Sequence, residues 1–230
     1  SYNITSSKKR KVGNMQLNLG KSFKKQLIWI SVASALVVGA SIAGPTAETV
    51  DSIPELAQES QHSKAAKRIT DHFTRSHYKK IKIDDELSEK VFDRYLRSLD
   101  VNRNFFLASD IANFEKSKDS FDDAIRQGQL DIAYDIYMVN LKRRAERFYY
   151  ALTLLDKPFD YEVANDKYYY DREKSAWAET EADLNEVWRQ RVKYDALNLK
   201  MADKTWEETQ DILTKRYQRA IKRLSQTNSE

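Results

Sequence analysis

Residues 130–155 read LDIAYDIYMVNLKRRAERFYYALTLL, and apolar side chains recur in this stretch every three or four residues. This period matches the α-helical turn and predicts one long amphipathic helix. The apolar positions are Leu130, Ala133, Tyr134, Tyr137, Met138, Leu141, Ala145, Phe148, Leu152 and Leu155. Gly128 precedes the helix and is expected to cap a shorter one before it, and Pro158 follows as a stop signal.

The same helical period recurs in three further segments. One helix is predicted to start after the acidic residues at 84–86 and to continue to Leu99. Two more are predicted to start at Thr180 and Thr205, where TEAD and TWEE form capping boxes that satisfy free backbone N–H groups. Residues 158–178 form the one long irregular connection. Because no strand-like alternation of useful length appears, and the chain has only five Gly and three Pro, we expect an all-α, irregular multi-helix domain.

The N-terminal part of the sequence differs in charge from the rest. Residues 1–25 carry seven Lys or Arg and no acid, and residues 26–47 carry no charge. Taking those seven cations from the total of 39 leaves 32 basic against 35 acidic residues from Glu48 onward, a formal charge of −3. The basic balance of the chain therefore belongs to its leader.

The leader has the layout of an export signal. A cationic segment is followed by 18 uncharged, mostly apolar or small residues at 27–44 and then by polar sequence. Ser41 and Ala43 place small side chains at the −3 and −1 positions of a cleavage point. An uncleaved inner-membrane anchor is the alternative, since 18 residues approach the length of a membrane span.

We therefore expect three parts. Residues 1–14 are an upstream extension with Met15 as the true start, residues 15–47 are a cleavable signal peptide, and residues 48–230 are the helical domain. This organisation predicts a periplasmic protein that meets a membrane only through its leader, if that leader is retained. The absence of cysteine excludes disulfides in any compartment.

The segment FTRSHYKK, residues 73–80, mixes aromatic rings with cations and contains one of the three histidines. His72 and His77 are five residues apart, so on a helix they are separated by about 140° and cannot both face one metal ion. We expect this segment to form a helix and turn and not a metal site.

A second apparent metal motif is DVNRN at residues 100–104, which imitates the first ligands of an EF-hand loop. Phe105 stands where the loop needs its turn glycine, and Ile111 stands where it needs the bidentate glutamate. A helix-to-helix turn with Asx capping is therefore the prediction.

The segment KRRAERFYY, residues 142–150, interleaves cations with rings as a single-strand nucleic-acid binder does. On a helix, however, Ala145, Phe148 and Leu152 lie on the core face, and the other side chains are expected on a solvated face. The residues assigned to that solvated face are Arg143, Arg147 and Tyr150. The net acidity after the leader also argues against nucleic acid as a partner.

Catalytic motifs are absent from the sequence. It contains no GxSxG, no glycine-rich phosphate loop, no cysteine and no histidine placed to activate a serine. We therefore assign no catalytic, cofactor-binding or metal-binding residue, and we expect no cofactor.

Six blocks occur in order along the chain: ITDHFTRSHYKK, KVFDRYLRSLD, FFLASDI, KRRAERFYYAL, KPFDY and LTKRYQRAIKRLSQTNSE. From about residue 52 to residue 230 the sequence closely resembles the N-terminal helical region of the bacterial tail-specific, or carboxy-terminal processing, proteases. The resemblance implies a periplasmic serine endopeptidase that selects nonpolar C-termini through a PDZ domain and cuts with a Ser/Lys dyad.

The resemblance also implies partners, namely protein substrates with nonpolar C-termini and a helical lipoprotein adaptor. In the family, the PDZ domain and the dyad follow the region that this sequence matches, so no catalytic residue is carried over to residues 1–230. The matched stretch corresponds to a helical arm that flanks the protease core. In that arm we expect the rings of residues 73–80 to pack inside, with Arg75, Lys79 and Lys80 at the surface.

Two classes of function stay open at this point. The first is the N-terminal part of a protease, as a truncated product or an incomplete gene model. The second is a stand-alone exported helical scaffold that binds a protein without catalysis. The reading frame after the codon for Glu230 distinguishes them. If later sequence is needed for packing, the apolar stripe of the last helix should be left partly uncovered. That stripe consists of Ile212, Tyr217, Ile221 and Leu224.

Overall fold

The computed structural model describes residues 53–76, 82–163 and 166–229. Seven α-helices follow one another in these residues: α1 (Ser60–Asp71), α2 (Asp85–Leu99), α3 (Ala108–Phe114), α4 (Phe121–Gln127), α5 (Asp131–Thr153), α6 (Glu181–Met201) and α7 (Trp206–Ser225). A π-helical turn, His72–Ser76, extends α1, and a 3₁₀ helix, Glu115–Ser120, joins α3 to α4. Within these ranges the only strand-like feature is one isolated bridge. The prediction of an all-α domain is confirmed.

The predicted helix starts are also confirmed. Asp84 caps α2 by accepting a backbone N–H with its side chain. The Thr180 hydroxyl accepts the N–H of Asp183 at 3.1 Å, and the Thr205 hydroxyl accepts the N–H of Glu208 at 3.2 Å. In both boxes the acidic side chain accepts the threonine N–H in return, at 3.0 Å. Each pair thus satisfies two amides that the helix itself leaves without partners.

Gly128 ends α4 in the left-handed conformation, with φ +68°, as the sequence predicts. A Cβ at this position would lie 2.7 Å from the Ser63 carbonyl oxygen of α1, so only glycine fits without a shift. The side chain of Gln58 completes the contact, because its amide donates to the Gly128 carbonyl at 2.6 Å and its oxygen accepts the N–H of Leu130. The segment before α1 is thereby fastened to the corner between α4 and α5.

Helix α5 contributes to each of three groups of buried side chains. Ile136 packs with the phenylalanines of α2, α3 and α4. Leu141 and Ala145 pack with Leu56 and with the end of α7. Ala151 packs with α6 and the middle of α7. Because neighbours cover α5 on several sides, its buried residues are not confined to the single stripe that a surface helix shows.

The apolar stripe of α7 is covered in part by the described residues. Leu213 and Tyr217 are buried against α5 and α6, Leu224 is buried against Leu56 and Leu141, and Ile212 and Ile221 are half-buried. The expectation that this stripe is left partly uncovered holds for Ile212 and Ile221 and is wrong for Tyr217 and Leu224, which α5, α6 and Leu56 cover.

The prediction for the rings of residues 73–80 is wrong for Phe73, which is 36% exposed. Its ring lies near the start of the π-helical turn, edge-on to His72 with centroids 5.8 Å apart. Arg75 is exposed as predicted and forms an ion pair with Asp71 at 3.6 Å. The predictions for His77, Lys79 and Lys80 lie outside the described residues.

The predictions for the leader, including the boundaries at residues 14 and 47 and cleavage after Ala43, also fall outside the described residues. Among the helices of residues 53–229 that the structure describes, none combines the length and the apolarity needed to cross a membrane.

Candidate protein-binding surface

Residues 158–178, described except for 164–165, run as an irregular segment that we call the tyrosine loop. Asp166 fastens this loop to α6. Its carboxylate accepts two bonds from the Arg189 guanidinium, at 2.7 and 3.0 Å, and one from the Lys193 ammonium at 2.6 Å. Hydrogen bonds from these two cations hold the pKa of Asp166 well below its usual range. The carboxylate therefore stays ionised, and the attachment persists, throughout the neutral and mildly acidic range.

Aromatic side chains extend this attachment along α6. The Tyr161 ring lies under the ammonium groups of Lys200, at 4.7 Å, and of Lys193, at 5.8 Å. The Tyr168 and Tyr194 rings are in contact, with centroids 5.3 Å apart. Because Lys193 and Tyr194 are neighbours in sequence, their side chains leave the helix about 100° apart, so the loop passes across the outer surface of α6.

The far end of the tyrosine loop is attached to the other half of the domain. Arg97 of α2 pairs with Glu173 at 2.5 Å, and the Arg103 guanidinium lies 4.9 Å from the centroid of the Trp177 ring. The first residue of α3 donates its N–H to the Ala178 carbonyl at 2.9 Å. The loop thus connects α6 with α2 and with the turn that precedes α3.

The tyrosine loop and the outer surface of α6 carry most of the exposed large apolar side chains of the described residues. Of the eight large apolar side chains that are exposed in the described residues, five lie here and are 42% to 75% exposed. They are Val163, Tyr169, Tyr170, Tyr194 and Met201, and we call them together the tyrosine face. Tyrosine and methionine are enriched where proteins bind proteins, and concentrated exposed apolar surface marks interaction sites. This face is therefore the candidate protein-binding surface.

A buried aromatic group lies on the inner side of α6. Trp188, on the inner side of α6, is fully buried, and its indole N–H donates to the Asn104 carbonyl at 2.6 Å. The rings of Phe105 and Phe148 lie 5.6 and 5.7 Å from it, in tilted and edge-on arrangements. Such packing fixes α6, which carries Tyr194 and Met201, against α5 and the turn.

The turn at residues 100–104 is an Asx-capped connection, as predicted. The buried Asp100 carboxylate accepts the N–H groups of Asn104 at 2.8 Å, Phe105 at 2.8 Å and Phe106 at 3.1 Å. Burial raises the pKa of Asp100, opposed by these three hydrogen bonds and by the charge of Arg144. The carboxylate organises the backbone that carries the Trp188 partner. No cluster of His, Cys, Asp or Glu suited to a metal occurs in the described part of the chain.

The arginines of α5 are engaged with the protein itself. Arg143 forms a bidentate pair with Asp110 at 2.9 Å for both bonds, and Arg144 donates to the Leu99 carbonyl at 2.9 Å. Arg147 is only 2% exposed and pairs with Glu181 at 3.1 Å. The prediction that Arg147 lies on a solvated face is wrong, because α6 covers that side of α5.

Residues 69–230 match the model of the tail-specific protease N-terminal domain. The chain belongs to that family. The tail-specific protease of Haemophilus influenzae is 48% identical to it over 204 residues, which are 88% of this chain and 29% of that relative. The chain thus spans less than a third of the relative's length, and the family resemblance expected from the six sequence blocks is confirmed.

In this tail-specific protease N-terminal domain, sequence reasoning did not find the tyrosine face. The available signal was YYYD, residues 168–171, inside the longest irregular connection of the chain. Three successive tyrosines in a polar loop cannot all enter a core, so at least one must face solvent or a partner. Tyr194 and Met201 gave no such signal, because a single exposed apolar residue on a helix is ordinary.

Proposed function

We propose that this chain is the N-terminal part of an exported serine endopeptidase that trims or degrades proteins with nonpolar C-termini. Its helical region flanks the protease core and helps to hold the protein substrate. The observation that carries the proposal is the match of residues 69–230 to the tail-specific protease N-terminal domain. The Ser/Lys dyad and the PDZ domain of such an enzyme, inferred from the family resemblance, are not among residues 1–230.

The part that this domain plays is binding and not chemistry. An unfolded substrate exposes apolar side chains, and the tyrosine face offers rings that bury a large area while losing little conformational entropy. A second contact on the same molecule also raises the effective concentration of the substrate at the catalytic site. We infer that the tyrosine face supplies this second contact, and that a helical lipoprotein adaptor is the other candidate occupant.

Binding of a permanently unfolded protein with a nonpolar C-terminus to the full chain tests this role. Replacing both Tyr169 and Tyr170 with serine should weaken binding about tenfold, since each of two such rings contributes on the order of 1 kcal/mol or less at an interface. The matched control is Ile69→Ser with Val101→Ser, two exposed apolar residues outside the tyrosine face.

The outcomes of this binding experiment are distinct. Equal loss in the control pair, or no loss in the tyrosine pair, excludes the tyrosine face as the substrate contact. If the tyrosine pair of replacements abolishes binding to a lipoprotein adaptor and leaves substrate binding intact, the tyrosine face is assigned to the adaptor instead.

The 230-residue chain alone should hydrolyse nothing, because the dyad is expected elsewhere in the protease. Incubation with the same unfolded protein should leave it intact, whereas the product of the continuous reading frame should cleave it. Cleavage by the purified chain would overturn the assignment of residues 1–230 as non-catalytic. Failure of the longer product to cleave would favour the exported scaffold.

We also propose that the protein is periplasmic and that its leader is removed by cleavage near Ala43. N-terminal sequencing of periplasmic material should begin close to Gly44, because Ser41 and Ala43 form the small-residue cleavage pattern. Recovery of the unprocessed chain from membranes alone would instead support an inner-membrane anchor.

A further inference from the structure

The C-terminal half of α7 carries an uninterrupted set of cations. Between residues 212 and 229 there are five Lys or Arg and no acid, although the sequence from Glu48 onward has a formal charge of −3. All five are exposed. They are Lys215, Arg216, Arg219, Lys222 and Arg223, and we call them the basic face. At 100° per residue they fall within an arc of about 120° on the side of α7 that faces away from buried Leu213 and Leu224.

Three members of the basic face have no carboxylate partner among the residues that the structure describes. Lys215 pairs with Asp211 at 2.8 Å, and Arg216 pairs with Asp195 at 3.1 Å. Arg219 donates only to a backbone carbonyl of its own helix, and for Lys222 and Arg223 no ion pair occurs within the described part of the chain. Cations in the last turn of a helix complement its dipole, which accounts for Lys222 and Arg223. It does not account for Arg219 or for the absence of acids along this face.

The basic face lies at the end of the domain where the described chain begins. Leu224 packs with Leu56 in one buried group, and the Tyr134 hydroxyl joins His62 of α1, at 2.9 Å, to the Ser229 carbonyl, at 3.5 Å. In sequence, Leu56 follows the apolar stretch 27–44 by 12 residues. The described chain therefore enters the domain, at residues 53–56, beside the C-terminal end of α7 that carries the basic face.

We propose that the basic face docks this domain on an anionic phospholipid surface. A convex row of cations is suited to many phosphates spread over a plane, and each Lys or Arg near such a surface favours association roughly fivefold. An acidic protein segment is the competing partner. Protein interfaces usually have an apolar centre, however, and none of the exposed large apolar side chains in the described residues lies on α7. Because the basic face has no such centre, a lipid surface fits it better.

Lysine acetylation of the full chain, read by mass spectrometry, tests the proposal. Vesicles that contain phosphatidylglycerol should protect Lys215 and Lys222 from acetylation, and vesicles of phosphatidylcholine alone should not. The exposed lysines at 142, 157 and 174 serve as references and should react equally in both. Neutral vesicles also control for insertion of the leader. Protection should disappear in about 0.5 M salt, where the screening length is only a few ångströms.

A triple variant, Arg219→Gln with Lys222→Gln and Arg223→Gln, should lower association with anionic vesicles about a hundredfold. Its matched control replaces the three reference lysines with glutamine and should bind as the wild type does. Circular dichroism checks that both variants stay helical. Equal protection by neutral vesicles, or wild-type binding by the triple variant, would overturn the proposal. Protection by polyglutamate but not by anionic vesicles would assign the face to an acidic protein.

Discussion

Replacing Asp100 with asparagine tests how the turn between α2 and α3 is held. The carboxylate accepts three buried backbone N–H groups, one on Oδ1 and two on Oδ2. An asparagine amide has one acceptor oxygen and one NH₂ group. Whichever way it is oriented, its NH₂ group faces at least one N–H that the carboxylate accepts in the wild type.

The size of the effect follows from this count. One buried N–H without a partner costs about 1–3 kcal/mol. If the asparagine oxygen takes the place of Oδ2, it keeps two of the three hydrogen bonds, and only the N–H of Asn104 is left without an acceptor. Burial raises the pKa of Asp100, which means that its charge is itself unfavourable in the folded state, so removing that charge offsets part of the cost. We expect the free energy of unfolding to fall by about 1–3 kcal/mol.

Urea unfolding of the full chain measures this change. With an m-value of about 2 kcal/mol/M, the midpoint should fall by roughly 0.5–1.5 M while m stays constant. Asp93→Asn is the matched control, because Asp93 is exposed on α2 and its replacement should change stability by less than about 0.5 kcal/mol. If the two variants unfold at the same midpoint, Asp100 does not hold the turn.

Three further replacements have defined outcomes. Gly128→Ala should destabilise the chain by more than about 1 kcal/mol in urea unfolding, because the new methyl group meets the Ser63 carbonyl and the backbone is left-handed; an unchanged midpoint would contradict that contact. Arg143→Met should cost about 3 kcal/mol in the same assay because it leaves the carboxylate of Asp110 buried without its partner, and a neutral result would mean that water replaces the guanidinium. Asp166→Asn should release the tyrosine loop from α6, and amide hydrogen exchange should become faster in the loop alone. If the loop amides of the variant exchange at the wild-type rate, the aromatic contacts hold the loop without Asp166.

Much of the fold could be predicted because its signals are local. Thr180 and Thr205 indicate helix starts by residue type and by their spacing from an acidic residue. Gly128 indicates a left-handed helix cap because other residues are sterically disfavoured in that conformation. The Asx-capped turn at residues 100–104 could also be predicted, since the EF-hand alternative lacked the glycine and glutamate that its chemistry requires.

The remaining features depend on contacts between distant parts of the chain. The helical period places Arg147 away from Ala145, but whether that side meets water or α6 is set by packing that no local pattern encodes. The burial of Tyr217 and Leu224 on α7 could not be predicted for the same reason, since α5, α6 and Leu56 cover these two residues. The path of the tyrosine loop depends on Asp166 meeting two cations more than twenty residues later, so the tyrosine face could not be assembled from sequence.

The central claim is that this domain holds substrate for a tail-specific protease through the tyrosine face. Steady-state cleavage of an unfolded protein with a nonpolar C-terminus by the product of the continuous reading frame tests it most directly. Tyr169→Ser with Tyr170→Ser should raise KM about tenfold and leave kcat unchanged, because a contact made equally in the ground state and the transition state affects binding alone. The control pair Ile69→Ser with Val101→Ser should match the wild type. An unchanged KM in the tyrosine variant, or an equal rise in the control, would contradict the claim.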